Sequence, residues 1–130
     1  MAAISKSSKV VLAIDDDPNV IDLLRENLTE AGYHVIGAAG GNEGLQKAWE
    51  LRPLAITLDI LMPQQDGWQM LHELKRDAIT RDIPVIVLSV VDNKELAHRL
   101  GAFECLVKPL DREVILATLA RITPRPQSPA

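Results

Sequence analysis

The chain has 130 residues, the size of one ordinary domain, and 47% of them are apolar and 25% charged, the balance of a globular protein in water. A formal net charge of -4 leaves no basic face to meet phosphate backbones, so direct nucleic-acid binding is not expected. The lone cysteine, Cys105, excludes an internal disulfide and suits a reducing compartment, and no apolar run has the length of a secretory leader or a membrane span; the expected location is the cytoplasm.

Residues 1–8 are small and polar and read as a disordered N-terminus. The run Val10-Val11-Leu12-Ala13-Ile14 is continuously apolar, as a strand buried on both faces requires. Asp17 then offers an N-cap and Pro18 a first helical position. Ile21, Leu24, Leu28 and Ala31 follow at helical spacing, and Gly32 stops the helix. Residues 33–38 form a second, weaker strand. Gly40-Gly41-Asn42 turns into a helix that carries Leu45, Ala48 and Trp49 on one face. A third strand, 54–58, ends at Asp59. The loop Met62-Pro63-Gln64-Gln65-Asp66-Gly67 is built of turn residues, and a helix over 68–77 follows it with Leu71 and Leu74 inward. A fourth strand, 84–88, ends at Ser89. Asp92 and Glu95 have capping-box spacing and open a helix to Leu100, which Gly101 ends. Residues 104–107 form a fifth strand. Asp111 caps a last helix that buries Ile115, Leu119 and Ile122. Residues 123–130 carry three prolines and read as a tail or the stub of a linker.

Strict alternation of strand and helix predicts an α/β domain over 9–122, with a doubly wound parallel sheet of five strands. Ligands of such sheets bind beyond the carboxyl ends of the strands. In this chain those ends carry Asp15-Asp16-Asp17, Asp59, Ser89 and Lys108. Two like charges about 4 Å apart repel by roughly 4 kcal/mol at an effective dielectric near 20. A carboxylate cluster therefore needs a proton or a cation, and oxygen-only ligands with open positions suit Mg2+. A carboxylate is also a competent nucleophile toward phosphorus. Asp59 is the candidate, because it closes the most apolar strand and a loop follows it. Lys108 is placed to neutralise phosphoryl charge, and Ser89 to donate a hydroxyl hydrogen bond.

These segments resemble response-regulator receiver domains of two-component systems. Leu12-Ala13-Ile14-Asp15-Asp16-Asp17-Pro18 is similar to their opening, and Leu58-Asp59-Ile60-Leu61-Met62-Pro63 with Asp66-Gly67 to their phosphorylation loop. Pro84-Val85-Ile86-Val87-Leu88-Ser89 is similar to their fourth strand, and Gly101-Ala102 with Leu106-Val107-Lys108-Pro109 to the region around their fifth. The resemblance implies a flavodoxin-like fold with strand order 2-1-3-4-5. It implies that Asp59 accepts a phosphoryl group. It also implies that Asp16 and Asp59 hold Mg2+, with Asp15 acting largely through water and the Leu61 backbone carbonyl completing the protein ligands. Ser89 and Lys108 become the phosphate-binding and switch residues, and the bond before Pro109 is expected to be cis. A sensor histidine kinase or a histidine phosphotransfer protein supplies the phosphoryl group. The readout face is formed by the fourth helix, fifth strand and fifth helix. Such a domain catalyses its own phosphorylation without being a turnover enzyme, and works as a monomer or weak homodimer. The wording around Asp59 and Trp68 is also similar to receivers within hybrid sensor kinases.

The chain departs from that pattern at Cys105, where the family has an aromatic residue three positions before the lysine. Val90 stands where a smaller residue is common. Leu61 and Val91 put apolar groups beside the expected acyl phosphate, where they would shield it from water. The bland readings differ by residue. Asp17 reads as a helix cap, His34, His72 and His98 as surface residues without ligand spacing, and Trp49 and Trp68 as packing residues. Cys105 reads as a small buried hydrophobe. The alternative function is an aspartyl-nucleophile phosphohydrolase, but such enzymes place a second aspartate two residues after the nucleophile, where this chain has Leu61. A flavin module is disfavoured because an acidic loop follows the first strand and would repel the flavin phosphate.

Overall fold

The computed structural model describes residues 9–63 and 65–122. The segments read as a disordered N-terminus and a proline-rich tail lie outside the described residues. Five strands form the central sheet: β1 (Val10–Ile14), β2 (His34–Ala38), β3 (Ala55–Asp59), β4 (Val85–Ser89) and β5 (Glu104–Val107). They alternate with α1 (Pro18–Thr29), α2 (Gly41–Leu51), α3 (Gly67–Arg76), α4 (Lys94–Arg99) and α5 (Arg112–Ala120). All the sheet pairings are parallel and the order is β2-β1-β3-β4-β5, the doubly wound arrangement expected from the sequence.

The continuous apolar runs are explained by cores on both faces. Leu12, Ile14, Ile56, Leu58, Val85 and Val87 pack with Ala48 of α2, Leu71 and Leu74 of α3 and Ala97 of α4. Their alternating neighbours, Val11, Ala13, Ala55, Ile86 and Leu88, pack with Leu24 and Leu28 of α1 and Ile115 and Leu119 of α5. Burying both faces leaves the strand tips as the place where polar groups can gather.

Register fixes which tips meet. Ile14 lies beside Leu58, so the next residues, Asp15 and Asp59, leave neighbouring strands side by side. Ser89 lies beside Val107, and the Lys108 amide donates to the Ser89 carbonyl at 2.7 Å. Two acidic caps work as read, with Asp17 and Asp111 accepting from the amides of Asn19 and Glu113 at 2.9 and 2.8 Å, and a third, Asp66, which the sequence reading left in the turn, accepts from the Trp68 amide at 2.9 Å.

Several local expectations are corrected. The first helix ends at Thr29, so Ala31 lies outside it and is exposed, while Gly32 takes φ +94 in the turn that follows. The third helix spans Gly67–Arg76, one residue earlier than read, because Asp66 caps it. The fourth has Asn93 rather than Asp92 at its cap. Asp92 Oδ1 accepts from the Lys94 amide at 3.0 Å, and Glu95 makes no return bond among the described residues, so the capping box is half built. Trp49 is 52% exposed and is not a packing residue, whereas Trp68 packs partly against the core. The sequence also concealed a short antiparallel ladder, in which Leu61–Met62 pairs with Gln65–Asp66 after β3.

Gly67 is required by close approach rather than by an unusual dihedral. A Cβ there would lie 2.4 Å from Ile60 Cα and 2.9 Å from the Asp59 carbonyl oxygen. Its own amide donates to the Ile60 carbonyl at 3.2 Å, which pulls the start of α3 onto the chain leaving β3. Backbone on backbone cannot yield as a side chain can. Gly67→Ala is therefore expected to cost about 1–3 kcal/mol, read as a lowered urea midpoint with an unchanged slope; an unchanged midpoint would show that the loop relaxes freely.

Candidate functional site

One carboxylate oxygen from each of Asp15, Asp16 and Asp59 lies within 4.8 Å of the others. Asp15 and Asp59 are buried, and Asp16 is exposed at the rim. Asp15 Oδ1 accepts from the Asp17 amide at 2.9 Å. Its Oδ2 is buried and has no hydrogen-bond partner. Asp59 Oδ1 accepts from the Leu61 amide at 3.2 Å and from Lys108 Nζ at 3.2 Å.

Among the described residues, Lys108 is the cation that pairs with this cluster. Its Nζ sits 3.2 Å from Asp59 Oδ1 and 3.7 Å from Asp15 Oδ2. The second distance is an ion pair without hydrogen-bond geometry, which is why Asp15 Oδ2 remains unsatisfied. Among the described residues one ammonium thus pairs with two of the three clustered carboxylates. The Lys108–Pro109 peptide bond is cis.

The electrostatic consequence is clearest at Asp15. Burial pushes its carboxyl up from 3.8 to about 6, against the pull of the Asp17 amide; the Asp59 charge adds to the rise, Lys108 opposes it and Asp16 adds to it. The donor set is all oxygen, an acceptor atom is buried and unpaired, and negative charge is in excess. Those three properties fit a hard divalent cation such as Mg2+, held by Asp15, Asp16 and Asp59.

Ser89 is 6% exposed at the end of β4. Its Oγ accepts from the Val91 amide at 3.2 Å and from Asn93 Nδ2 at 3.0 Å. Sequence reading missed Asn93, because an asparagine before a helix carries no mark beyond capping. The side chains of Leu61, Val90 and Val91 are each more than half exposed around the strand tips. Cys105 is 3% exposed in the core beside Val87, and burial is the first cause that raises its thiol. His34, His72 and His98 are exposed, and His98 Nε2 lies 3.2 Å from Glu104 Oε1, away from the acidic cluster.

A pH dependence follows from Asp15. Its folded-state value lies above its ordinary one, so the folded chain holds that proton more tightly than the unfolded chain. The stabilisation is present below about pH 4 and is lost as pH rises through about 6, a change of about 3 kcal/mol. Asp15→Asn removes the charge and keeps an acceptor for the Asp17 amide. With divalent ions chelated, it is expected to melt several degrees above the parent chain at pH 7.5 and level with it near pH 4. Equal melting at pH 7.5 would contradict the burden assigned to this carboxylate.

The comparisons with known proteins agree with this geometry. Residues 11–120 match the model of the response regulator receiver domain. The chain is 35% identical over 112 residues to protein PilH of Pseudomonas aeruginosa, covering 84% of this chain and 93% of that one. It is 39% identical over 118 residues to the DNA-binding dual master transcriptional regulator RpaA of a Synechocystis strain, covering 88% of this chain and 49% of that protein, so it spans about half the length of that relative. Among solved structures, the chemotaxis protein CheY4 of Vibrio cholerae superposes with a TM-score of 0.82 at 31% identity, covering 90% of this chain and all of that one. No helix among the described residues is long and apolar enough to cross a membrane. The chain therefore belongs to the response regulator receiver family of two-component signalling systems.

Proposed function

We propose that this receiver domain is a phosphorelay switch in which Asp59 accepts a phosphoryl group from the phosphohistidine of a sensor histidine kinase or phosphotransfer protein. The observation that carries the reading is the single ammonium of Lys108 set between Asp59 and the unsatisfied Asp15.

Both hydrogen bonds to Asp59 fall on Oδ1, which leaves Oδ2 as the attacking oxygen. A bond forms between that oxygen and phosphorus. The nitrogen–phosphorus bond of the donor breaks, its electron pair leaves with the imidazole, and the imidazole takes up a proton from solvent. Lys108 and the Leu61 amide hold the carboxylate in one orientation, so little reorganisation is needed at the moment of transfer. Bound Mg2+, held by Asp15, Asp16, Asp59 and the Leu61 carbonyl, would supply positive charge for the equatorial oxygens. The Asp15 and Asp16 carboxylates serve by holding that charge near Asp59, and Asp17 serves as a cap.

Once phosphorylated, Asp59 carries about one further negative charge. Lys108 then faces a stronger anion, and the Ser89 hydroxyl gains a phosphoryl oxygen as acceptor. Both residues stand at strand tips that lead into α4 and α5, so their movement biases the face made by α4, β5 and α5 toward a partner or a fused domain. The chain promotes its own phosphorylation and dephosphorylation without turning over a separate substrate. By its acidic charge it is read as free of direct DNA contact, and by its family it is read as a monomer or weak homodimer.

Intact mass after incubation with acetyl phosphate tests the reading. With Mg2+ the chain is expected to gain the mass of one phosphoryl group, lost on alkaline treatment as an acyl phosphate is. Chelation of the metal and Asp59→Asn should each abolish the gain, and Lys108→Ala should reduce it by about 10-fold or more. A phosphoryl adduct on Asp59→Asn would move the acceptor elsewhere.

A further inference from the structure

We propose that Asn93 is a positioning residue for Ser89, a latch that holds the switch hydroxyl in its resting place and ties it to the start of α4. The proposal rests on the reading of Asp59 as the phospho-acceptor and adds a residue to that site.

The geometry is specific. Asn93 Nδ2 donates to Ser89 Oγ at 3.0 Å, and the Val91 amide donates to the same oxygen at 3.2 Å. A serine oxygen has two lone pairs, and these two donors occupy both. Among the described residues Ser89 Oγ makes no hydrogen bond with Asp59 or Lys108. The resting hydroxyl is therefore held by its own loop and not by the carboxylate cluster.

Asn93 stands at the cap position of α4, where asparagine normally accepts from the helix amides with its side chain. Here it makes no such bond. Asp92 serves the Lys94 amide instead, and the Asn93 side chain is committed to Ser89. The Asn93 carbonyl still accepts from the Ala97 amide at 2.8 Å, which anchors the residue to the helix. One residue thus touches the switch hydroxyl and the first turn of α4.

To reach a phosphoryl oxygen on Asp59, Ser89 Oγ must leave the Asn93 amide. The latch bond is lost on switching and regained on dephosphorylation. It opposes the active arrangement by the worth of one net hydrogen bond, a factor of about 2–10 in the equilibrium. Cys105 is too small to report the movement by changing rotamer as a ring would. The connection through Asn93 gives the movement another route, into α4.

The test uses the full chain with Mg2+ and trifluoroberyllate, a phosphoryl mimic that bonds to a carboxylate oxygen. Asn93→Leu keeps the branched four-atom shape and removes the donor. It is expected to bind the mimic about 2- to 10-fold more tightly than the parent chain. The same substitution in a Ser89→Ala background should give no gain, because the latch has nothing to hold. In the parent chain the side-chain amide resonances of Asn93 should shift when the mimic binds, and in Ser89→Ala they should stay in place. Equal affinity of Asn93→Leu and the parent, or an equal gain in both backgrounds, would overturn the latch. The resonance comparison decides the matter even if Asn93→Leu folds poorly. Failure of the parent chain to bind the mimic, with Asp59→Asn as control, would overturn the phospho-acceptor reading and the latch with it.

Discussion

Excess negative charge at one edge of the sheet is the constraint on which the rest of the molecule depends. Three carboxylates converge, one lysine pairs with two of them, and one carboxylate oxygen is buried without a hydrogen-bond partner. No relaxed globular protein needs such an arrangement, since an unpaired buried acceptor costs about 1–3 kcal/mol. The cost is borne by a sheet whose strands are buried on both faces. Apolar packing supplies the stability, and the strand tips are left to chemistry.

The fold transmits that constraint through register. Parallel pairing of β1 with β3 sets Asp15 beside Asp59, and pairing of β4 with β5 sets Ser89 beside the segment that carries Lys108. A one-residue slip in either ladder would turn these side chains to the wrong face. The loop after β3 is held just as firmly, because Gly67 lets the first turn of α3 rest against the Ile60 backbone. The Leu61 amide thereby stays within reach of Asp59 Oδ1. Acid cluster, lysine and loop form one unit, and the switch hydroxyl lies beside it with its own set of partners.

Much of this was legible in the sequence because the relevant forces are local or periodic. Runs such as Val10–Ile14 and Val85–Ser89 declare burial on both faces, and Asp17 and Asp111 declare helix starts. Asp15, Asp59, Ser89 and Lys108 could be singled out because strand tips are where a doubly wound sheet puts its polar groups. What stayed hidden depends on distances that no pattern encodes. Trp49 looked like a core residue, yet α2 turns it outward. Lys75 gave no sign that its ammonium would donate to the carbonyls of Arg81 and Ile83 at 3.0 and 2.7 Å. Asn93 and Asp92 are both good caps, and only the position of Ser89 Oγ decides which one is diverted from the helix.

The convergence of the carboxylates can be tested without any phosphoryl chemistry. Backbone amide resonances followed through a Mg2+ titration should shift in a saturable way at Asp16, Asp59 and Leu61, with little change at the opposite edge of the sheet. Asp16→Asn and Asp59→Asn should each weaken that binding at least 10-fold. Shifts that never saturate, or binding that survives both substitutions unchanged, would contradict the account.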